Sequence, residues 1–206
     1  MANHKNHLGQ SYKLDSVADT QTYYSDWAAT YDAEIIANGY ATPQRCADAL
    51  ASVTTNKNLN VLDIGCGTGI SGRILNEVGF TSIDGCDITS EMLKIADTRQ
   101  IYKELWLSDP ENPFPFDNGK YDAITAVGVI GAGAAPLIVF HQAISKLESG
   151  GLFVFSFNDH TLEEPNYEAA VNQEIKNNSF ELIFKEYGPH LPGRKIQSNV
   201  YILRKI

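Results

Sequence analysis

The run Val61-Leu62-Asp63-Ile64-Gly65-Cys66-Gly67-Thr68-Gly69 carries the densest chemical signal in the sequence. Strand-forming residues with an embedded acid lead straight into glycines at alternate positions, and Ile70, Ile74, Leu75 and Val78 then share one helical face. The spacing predicts a buried parallel strand, a tight turn and a helix that starts over a ligand. Glycine belongs where a ligand approaches the backbone closely or where φ is positive. The acid separates this turn from a phosphate cradle, because a carboxylate repels a pyrophosphate. It suits instead a ligand bearing an ammonium and a sulfonium, and S-adenosylmethionine is such a ligand.

A second acid, Asp87, closes Gly85-Cys86-Asp87-Ile88 at the tip of the next strand. A carboxylate there can accept from both hydroxyls of a ribose. The alternative, capping the following helix, is a job for which Thr89 competes. A nicotinamide site would need Gly-x-Gly-x-x-Gly, whose third glycine falls on Ile70. Gly69 comes one residue early and Gly72 does not restore the spacing, so an NAD-dependent dehydrogenase is disfavoured.

The rest of the chain must position these groups. At 206 residues and 43% hydrophobic content it suits one well-filled domain. A net charge of −9 argues against a nucleic-acid partner, since a phosphate backbone needs compensating Lys and Arg. No apolar run is long enough to span a membrane, and the N-terminus lacks a secretory core. Cys46, Cys66 and Cys86 form neither a CxxC pair nor a zinc pattern, so no metal is expected and a reducing cytoplasm is the natural compartment.

Residues 1–18 are polar and expected to be mobile, and residues 19–206 form the domain. A helix from Asp19 aligns Tyr23, Trp27 and Tyr31, and a second follows Pro43 with Cys46, Ala47 and Leu50 inward. Strands are then expected at 59–64, 81–88, 103–108, 121–127 and 152–157. Helices fall between them at 69–78, from Thr89 or Ser90, and at 135–148, with another at 163–177. The tail reads as strands at 180–187 and 199–204 around a loop at 188–193. Such alternation predicts a doubly wound α/β domain, a parallel sheet plus a C-terminal antiparallel hairpin, seven strands in all.

These motifs, in this order, resemble a class I S-adenosylmethionine-dependent methyltransferase, from about Tyr23 to the end. Within that superfamily, Tyr24-Ser25-Asp26-Trp27-Ala28-Ala29-Thr30-Tyr31-Asp32-Ala33-Glu34 and Val127-Gly128-Val129-Ile130-Gly131-Ala132-Gly133-Ala134-Ala135-Pro136 resemble the group called methyltransferase-like protein 27. The resemblance implies S-adenosylmethionine as cofactor and a Rossmann-like seven-stranded mixed sheet. It also implies roles. Gly65, Gly67 and Gly69 pass under the methionine part, lined by Cys66 and Thr68. Asp63 receives the ammonium or holds the loop. Asp87 takes the ribose. Ile88 and Met92 pack on adenine, although Met92 also fits a plain helix–sheet contact. Asp109 accepts from the adenine amino group or stays solvated, and the proline after it blurs the register. Val127 and Gly128 lie beside the methyl. Tyr31 reaches the cofactor or packs α-helically with Tyr23 and Trp27.

Ala126-Val127-Gly128-Val129 stands where DNA and protein-amide methyltransferases carry Asn or Asp, then Pro-Pro and an aromatic. Base N-methylation and Gln methylation are therefore not expected, and the acceptor is read as a small molecule. The alternative is a cofactor-binding subunit or sensor without turnover. Candidate bases lie at the carboxyl ends of the strands: His160 weakly, His190 less so, with His141 structural. Residues 19–57 are read as a helical lid. Oligomeric state is not legible.

Overall fold

The computed structural model describes residues 7–9, 14, 16–131 and 133–206. Helix α1 (Val17–Ala37) starts at an N-cap on Ser16 rather than Asp19. The Ser16 hydroxyl accepts from the Asp19 amide at 3.1 Å, satisfying an otherwise orphan amide, and donates to the Asp19 carboxylate at 2.6 Å. Trp27 and Ile35 bury against Leu8 and Leu191. Glu34 ties this cluster together, accepting from Trp27 Nε1 at 3.0 Å and from the Leu8 amide at 2.9 Å. Most of the segment 1–18 expected to be mobile lies outside the described residues. Within it Leu8 is buried, and Val17 and Ala18 already belong to α1.

Helix α2 (Thr42–Val53) carries Pro43 in its first turn, where a missing N–H costs nothing. Cys46, Ala47, Ala49 and Leu50 are buried among sheet residues such as Val61, Val154 and Ile202. This corrects the lid read over 19–57: α2 is a core layer, laid flat on the sheet by its small residues, and α1 alone lies over the crevice.

Alternating elements follow: β1 (Asn60–Ile64), α3 (Ile70–Glu77), β2 (Ser82–Asp87), α4 (Ser90–Thr98), β3 (Leu105–Leu107), β4 (Ala123–Ala126), α5 (Ile138–Ser145) and β5 (Leu152–Asn158). Then come α6 (Asp159–Leu162), α7 (Pro165–Lys176), β6 (Phe180–Leu191) and β7 (Ile196–Lys205). The strands form one sheet in the order β3-β2-β1-β4-β5-β7-β6, in which β7 runs against its neighbours. Central strands are apolar on both faces because helices cover both. Phe153, Phe155 and Phe157 on β5 are fully buried, and Phe155 stacks on Tyr201 of β7 at 4.9 Å. Among the described residues no helix is long and apolar enough to cross a membrane.

Three boundaries differ from expectation. The helix over 135–148 starts only at Ile138, after the Gly-rich loop and Pro136. The helix expected over 163–177 is α7, starting at Pro165, and a short additional helix, α6, precedes it and ends before the residue ahead of proline, which is pushed out of helical geometry. The expected loop 188–193 is largely strand: β6 continues through Pro189 to Leu191, and a 3-10 turn at Pro192–Arg194 makes the connection. An edge strand tolerates proline, since one side of it needs no ladder hydrogen bond. This extension carries His190 to the start of α2, where the Ala41 amide donates to the His190 carbonyl at 2.9 Å.

Candidate active site

The turn after β1 is built on left-handed glycines, with φ +60° at Gly65 and +54° at Gly67. A Cβ on Gly65 would stand 2.6 Å from a Val129 methyl, whereas one on Gly67 would project into open space. Asp87, at the tip of β2, clamps this turn: Oδ2 accepts from the Gly67 amide at 2.9 Å and Oδ1 from the Thr89 amide at 2.8 Å. Burial pushes its carboxyl above the ordinary carboxylate range, with the amides of Gly67 and Thr89 opposing.

An open cavity of about 180 Å³ lies over the carboxyl ends of the strands. Gly65, Gly67 and Asp87 form one wall. Ile88, Met92, Pro113 and Phe114 form an apolar slot, and Val127, Gly128 and Val129 the far end. Thr20, Tyr24 and Tyr31 of α1 roof it. The roof is pinned at several points. Gln21 Nε2 donates to the Ile88 carbonyl at 3.0 Å, and Ser25 Oγ to Glu91 at 2.9 Å. Asp32 accepts from Thr68 Oγ1 and from Arg99 Nη2, each at 2.5 Å, while Arg99 Nε donates to the Thr68 carbonyl. The Asp32 clasp joins α1 to the glycine turn itself. Replacing Asp32 with alanine is expected to speed cofactor release roughly 3- to 10-fold, the worth of a partly exposed ion pair of about 1 kcal/mol. Stopped-flow dissociation reads this directly, and an unchanged off-rate would reject a retaining role for α1.

A smaller cavity of about 50 Å³ adjoins the first, sharing Tyr24, Tyr31, Gly128 and Ala134 with it. Beside Tyr24, Tyr31 and Trp27 of α1, its polar groups are Tyr40, Ser156, Asn158, Thr161 and His190. Gly128 has φ +69°, and a Cβ there would overlap the Tyr40 hydroxyl, which donates to the Val127 carbonyl at 3.2 Å. Ser156 Oγ accepts from the Gly128 amide at 3.0 Å. The His190 ring meets Tyr40 edge-to-face at 5.3 Å, and its Nδ1 lies 2.7 Å from Thr42 Oγ1. Burial lowers the imidazole to about 4, with Asp159 opposing and Arg45 and His160 adding to the drop, so the ring is neutral at pH 7.

The structure brings Tyr31, Gly65, Gly67, Asp87, Ile88, Met92, Val127 and Gly128 together around the larger cavity. Six other candidates stand elsewhere. Asp63 is wholly buried and accepts from Ser71 Oγ, Tyr102 OH and Thr125 Oγ1 at 2.6, 2.8 and 2.9 Å. Ile64 lines the cavity and side chains alternate along a strand, so Asp63 faces the other way, under α3. It braces the turn from behind. Cys66 is buried with its thiol pushed well up by burial, Thr68 is spent on Asp32, and Gly69 caps α3 in a left-handed conformation. Asp109 is exposed and accepts from the Glu111 amide at 2.9 Å; its neighbour Ser108 lines the cavity instead. His160, on α6, lines neither cavity.

Tyr40, Ser156 and Asn158 were missed by sequence reasoning. Asn158 ends β5 at the sheet's carboxyl edge, and that position was the available signal. Tyr40 and Ser156 carried none, because only the folded sheet brings them to Gly128.

The strand order, the glycine turn after β1 and the acid at the tip of β2 together define a class I methyltransferase fold. The chain belongs to the family described as a methyltransferase domain, which matches residues 39–198. It is 33% identical over 119 residues to the Dictyostelium discoideum protein named "Probable 18S rRNA (guanine-N(7))-methyltransferase", covering 56% of this chain and 41% of that one. It is 28% identical over 129 residues to human Methyltransferase-like protein 27, covering 61% and 53%. The chain thus spans about half the length of these relatives or less. The fold matches that of the chain solved in complex with the Haloferax volcanii Trm112 methyltransferase activator, with TM-score 0.68 and 16% identity over 90% of this chain and 97% of that one.

The residues present fit the cofactor. The space over Gly67 accepts a ligand that no Cβ obstructs, the partly exposed edge of Asp87 can receive a diol, and the Ile88–Met92–Phe114 slot suits a flat ring.

These relatives correct two expectations. The small-molecule acceptor and the absence of a nucleic-acid partner are overturned by several relatives named as guanine-N7 methyltransferases of 18S rRNA. The missing Asn/Asp-Pro-Pro-aromatic motif bears on exocyclic amines and amides, whose nitrogen lone pair is delocalised. Guanine N7 holds its lone pair in the ring plane and needs no such grip. The net charge of −9, in turn, averages over the whole chain and hides local basic groups.

Proposed function

We propose that the chain methylates N7 of a guanine in RNA. The observation that carries this reading is the smaller cavity, which abuts the cofactor cavity at Gly128 yet, among the described residues, has no Asp, Glu, Lys or Arg in its lining. A hydroxyl acceptor would call for a general base there. Guanine N7 already presents a free lone pair, so a neutral polar pocket suffices. His190, neutral at pH 7, agrees with that requirement.

Bound S-adenosylmethionine supplies a methyl on a sulfonium, whose departure leaves a neutral thioether. The chain's own task is therefore placement. Gly128 and the ring of Tyr31 border both cavities and set the line between nucleophile and methyl, while α1 roofs the crevice and excludes water. Holding reactants in line is worth several kcal/mol, on the order of 7 or more for well-oriented pairs. Beyond His190 and Leu191, the turn Pro192–Arg194 and its neighbour Lys195 are exposed, and the Gly193 amide donates to the Asn38 carbonyl at 3.0 Å. Arg194 and Lys195 follow three and four residues after Leu191, which lines the smaller cavity, and offer positive charge to an RNA phosphate. A reducing compartment, cytoplasmic as read from the cysteines, is kept in this proposal and agrees with three free, buried thiols.

Incubation with labelled S-adenosylmethionine and either ribosomal RNA or a guanine-rich single strand is expected to yield N7-methylguanosine on nuclease digestion and mass spectrometry. Tight cofactor binding with no label in either RNA would overturn the reading.

A further inference from the structure

The ring of His190 is held by a chain of hydroxyls whose direction can be deduced. Arg45, on α2, donates through Nη1 to Ser198 Oγ at 3.0 Å, and a guanidinium can only donate. Ser198 Oγ lies 3.2 Å from Thr42 Oγ1, which lies 2.7 Å from His190 Nδ1. Ser198 and Thr42 are both fully buried. With Arg45 filling the acceptor side of Ser198, the Ser198 hydrogen has Thr42 Oγ1 as its acceptor. Were Thr42 to donate to Ser198 instead, the Ser198 hydrogen would be buried without a partner. Thr42 therefore receives from Ser198 and gives its own hydrogen to His190 Nδ1. An imidazole that accepts at Nδ1 and is neutral must carry its proton on Nε2.

Among the described residues Thr42 is the hydrogen-bond partner that the His190 ring has, so Nε2–H is left for the smaller cavity. The Cε1 edge next to it lies 3.8 Å from where a Cβ on Gly128 would stand, at the boundary with the cofactor cavity.

We propose that His190 is a specificity-determining residue whose Nε2–H, fixed by the Arg45–Ser198–Thr42 relay, donates to an acceptor atom beside the methylated nitrogen, namely O6 of guanine. This rests on the guanine-N7 reading above and adds to it the atom that tells guanine from adenine. N7 and O6 lie side by side on one edge of guanine, both as acceptors, whereas adenine turns an amino donor toward the same place. The relay makes His190 a donor and thereby removes it from the list of general bases.

Two measurements test this. Nitrogen-15 NMR of the free enzyme at pH 7 should find His190 as the Nε2–H tautomer, and Thr42→Val should let the other tautomer appear. A wild-type ring protonated on Nδ1 overturns the proposal whatever the acceptor. Paired RNA strands carrying guanine or 2-aminopurine, which keeps N7 but lacks O6, should differ in kcat/KM by roughly 10- to 100-fold. In His190→Phe, and more mildly in Thr42→Val, that ratio should fall toward one. An unchanged ratio in a folded His190→Phe protein overturns the role of His190. Wild-type enzyme that methylates neither strand would overturn the guanine reading itself, and the O6 assignment with it.

Discussion

Asp87→Ala is expected to weaken S-adenosylmethionine binding roughly 10- to 100-fold, about 1–3 kcal/mol, the range for hydrogen bonds to a charged acceptor. Two losses combine. The carboxylate edge facing the cavity can no longer accept from a ribose diol. The amides of Gly67 and Thr89, bonded at 2.9 and 2.8 Å, lose their acceptor, so the turn under the ligand loosens as well. Asp87→Asn separates the two effects. Its single carbonyl oxygen can serve one amide while its NH2 confronts the other, so it should fall between wild type and alanine. Titration calorimetry with S-adenosylmethionine and S-adenosylhomocysteine measures both variants. Equal affinities across the series would remove Asp87 from the site. A parallel melting curve guards against reading lost fold as lost binding.

Asp87 lines the crevice, whereas Asp63, read as receiving the ammonium or holding the loop, faces away from it, and the difference has a simple physical basis. Asp87 ends its strand, and the tip of a parallel strand opens on the crevice whatever the side-chain register. Asp63 lies inside its strand, where the period of two decides which face it takes, and an acid facing α3 reads in sequence like an acid facing a ligand. The same logic separates Ser108 from Asp109, one residue apart in a loop whose proline resets the backbone. The parallel sheet was carried by apolar runs such as 59–64 and 152–157, which are buried on both faces. The acceptor side was not, because Tyr40, Gly128, Ser156 and His190 come from four separate elements that meet only after β6 is extended past Pro189. The basic pair Arg194 and Lys195 was lost in a chain-wide charge sum, which says nothing of where positive charges lie.

Gly72→Ala offers a test in which two general rules give opposite signs. Alanine in a helix interior is favoured over glycine by about 1 kcal/mol, so α3 taken alone should gain. In the folded chain, however, a Cβ on Gly72 would overlap the Tyr102 hydroxyl and stand 2.7 Å from its ring carbon Cε1. Tyr102 cannot retreat toward β2, because a Cβ position at Gly85 already lies 2.8 Å from that same ring edge. Overpacking of this kind costs about 1–3 kcal/mol, and a displaced Tyr102 also withdraws its hydrogen bond from buried Asp63, about 1–3 kcal/mol more. The net is a loss of about 1–5 kcal/mol, or roughly 2–20 °C in Tm for a chain of this size. The deficit should depend on pH. Burial raises Asp63 from 3.8 to about 6, opposed by its hydrogen bonds from Ser71, Tyr102 and Thr125. A carboxyl raised on folding contributes stability that is full below its unfolded value and lost as pH climbs through its folded value. Without the Tyr102 donor the folded value rises further, so the variant should lag wild type more at pH 8 than at pH 5. Denaturant melts at the two pH values decide it, and a Gly72→Ala protein more stable than wild type at both would show that Tyr102 does not fill that space.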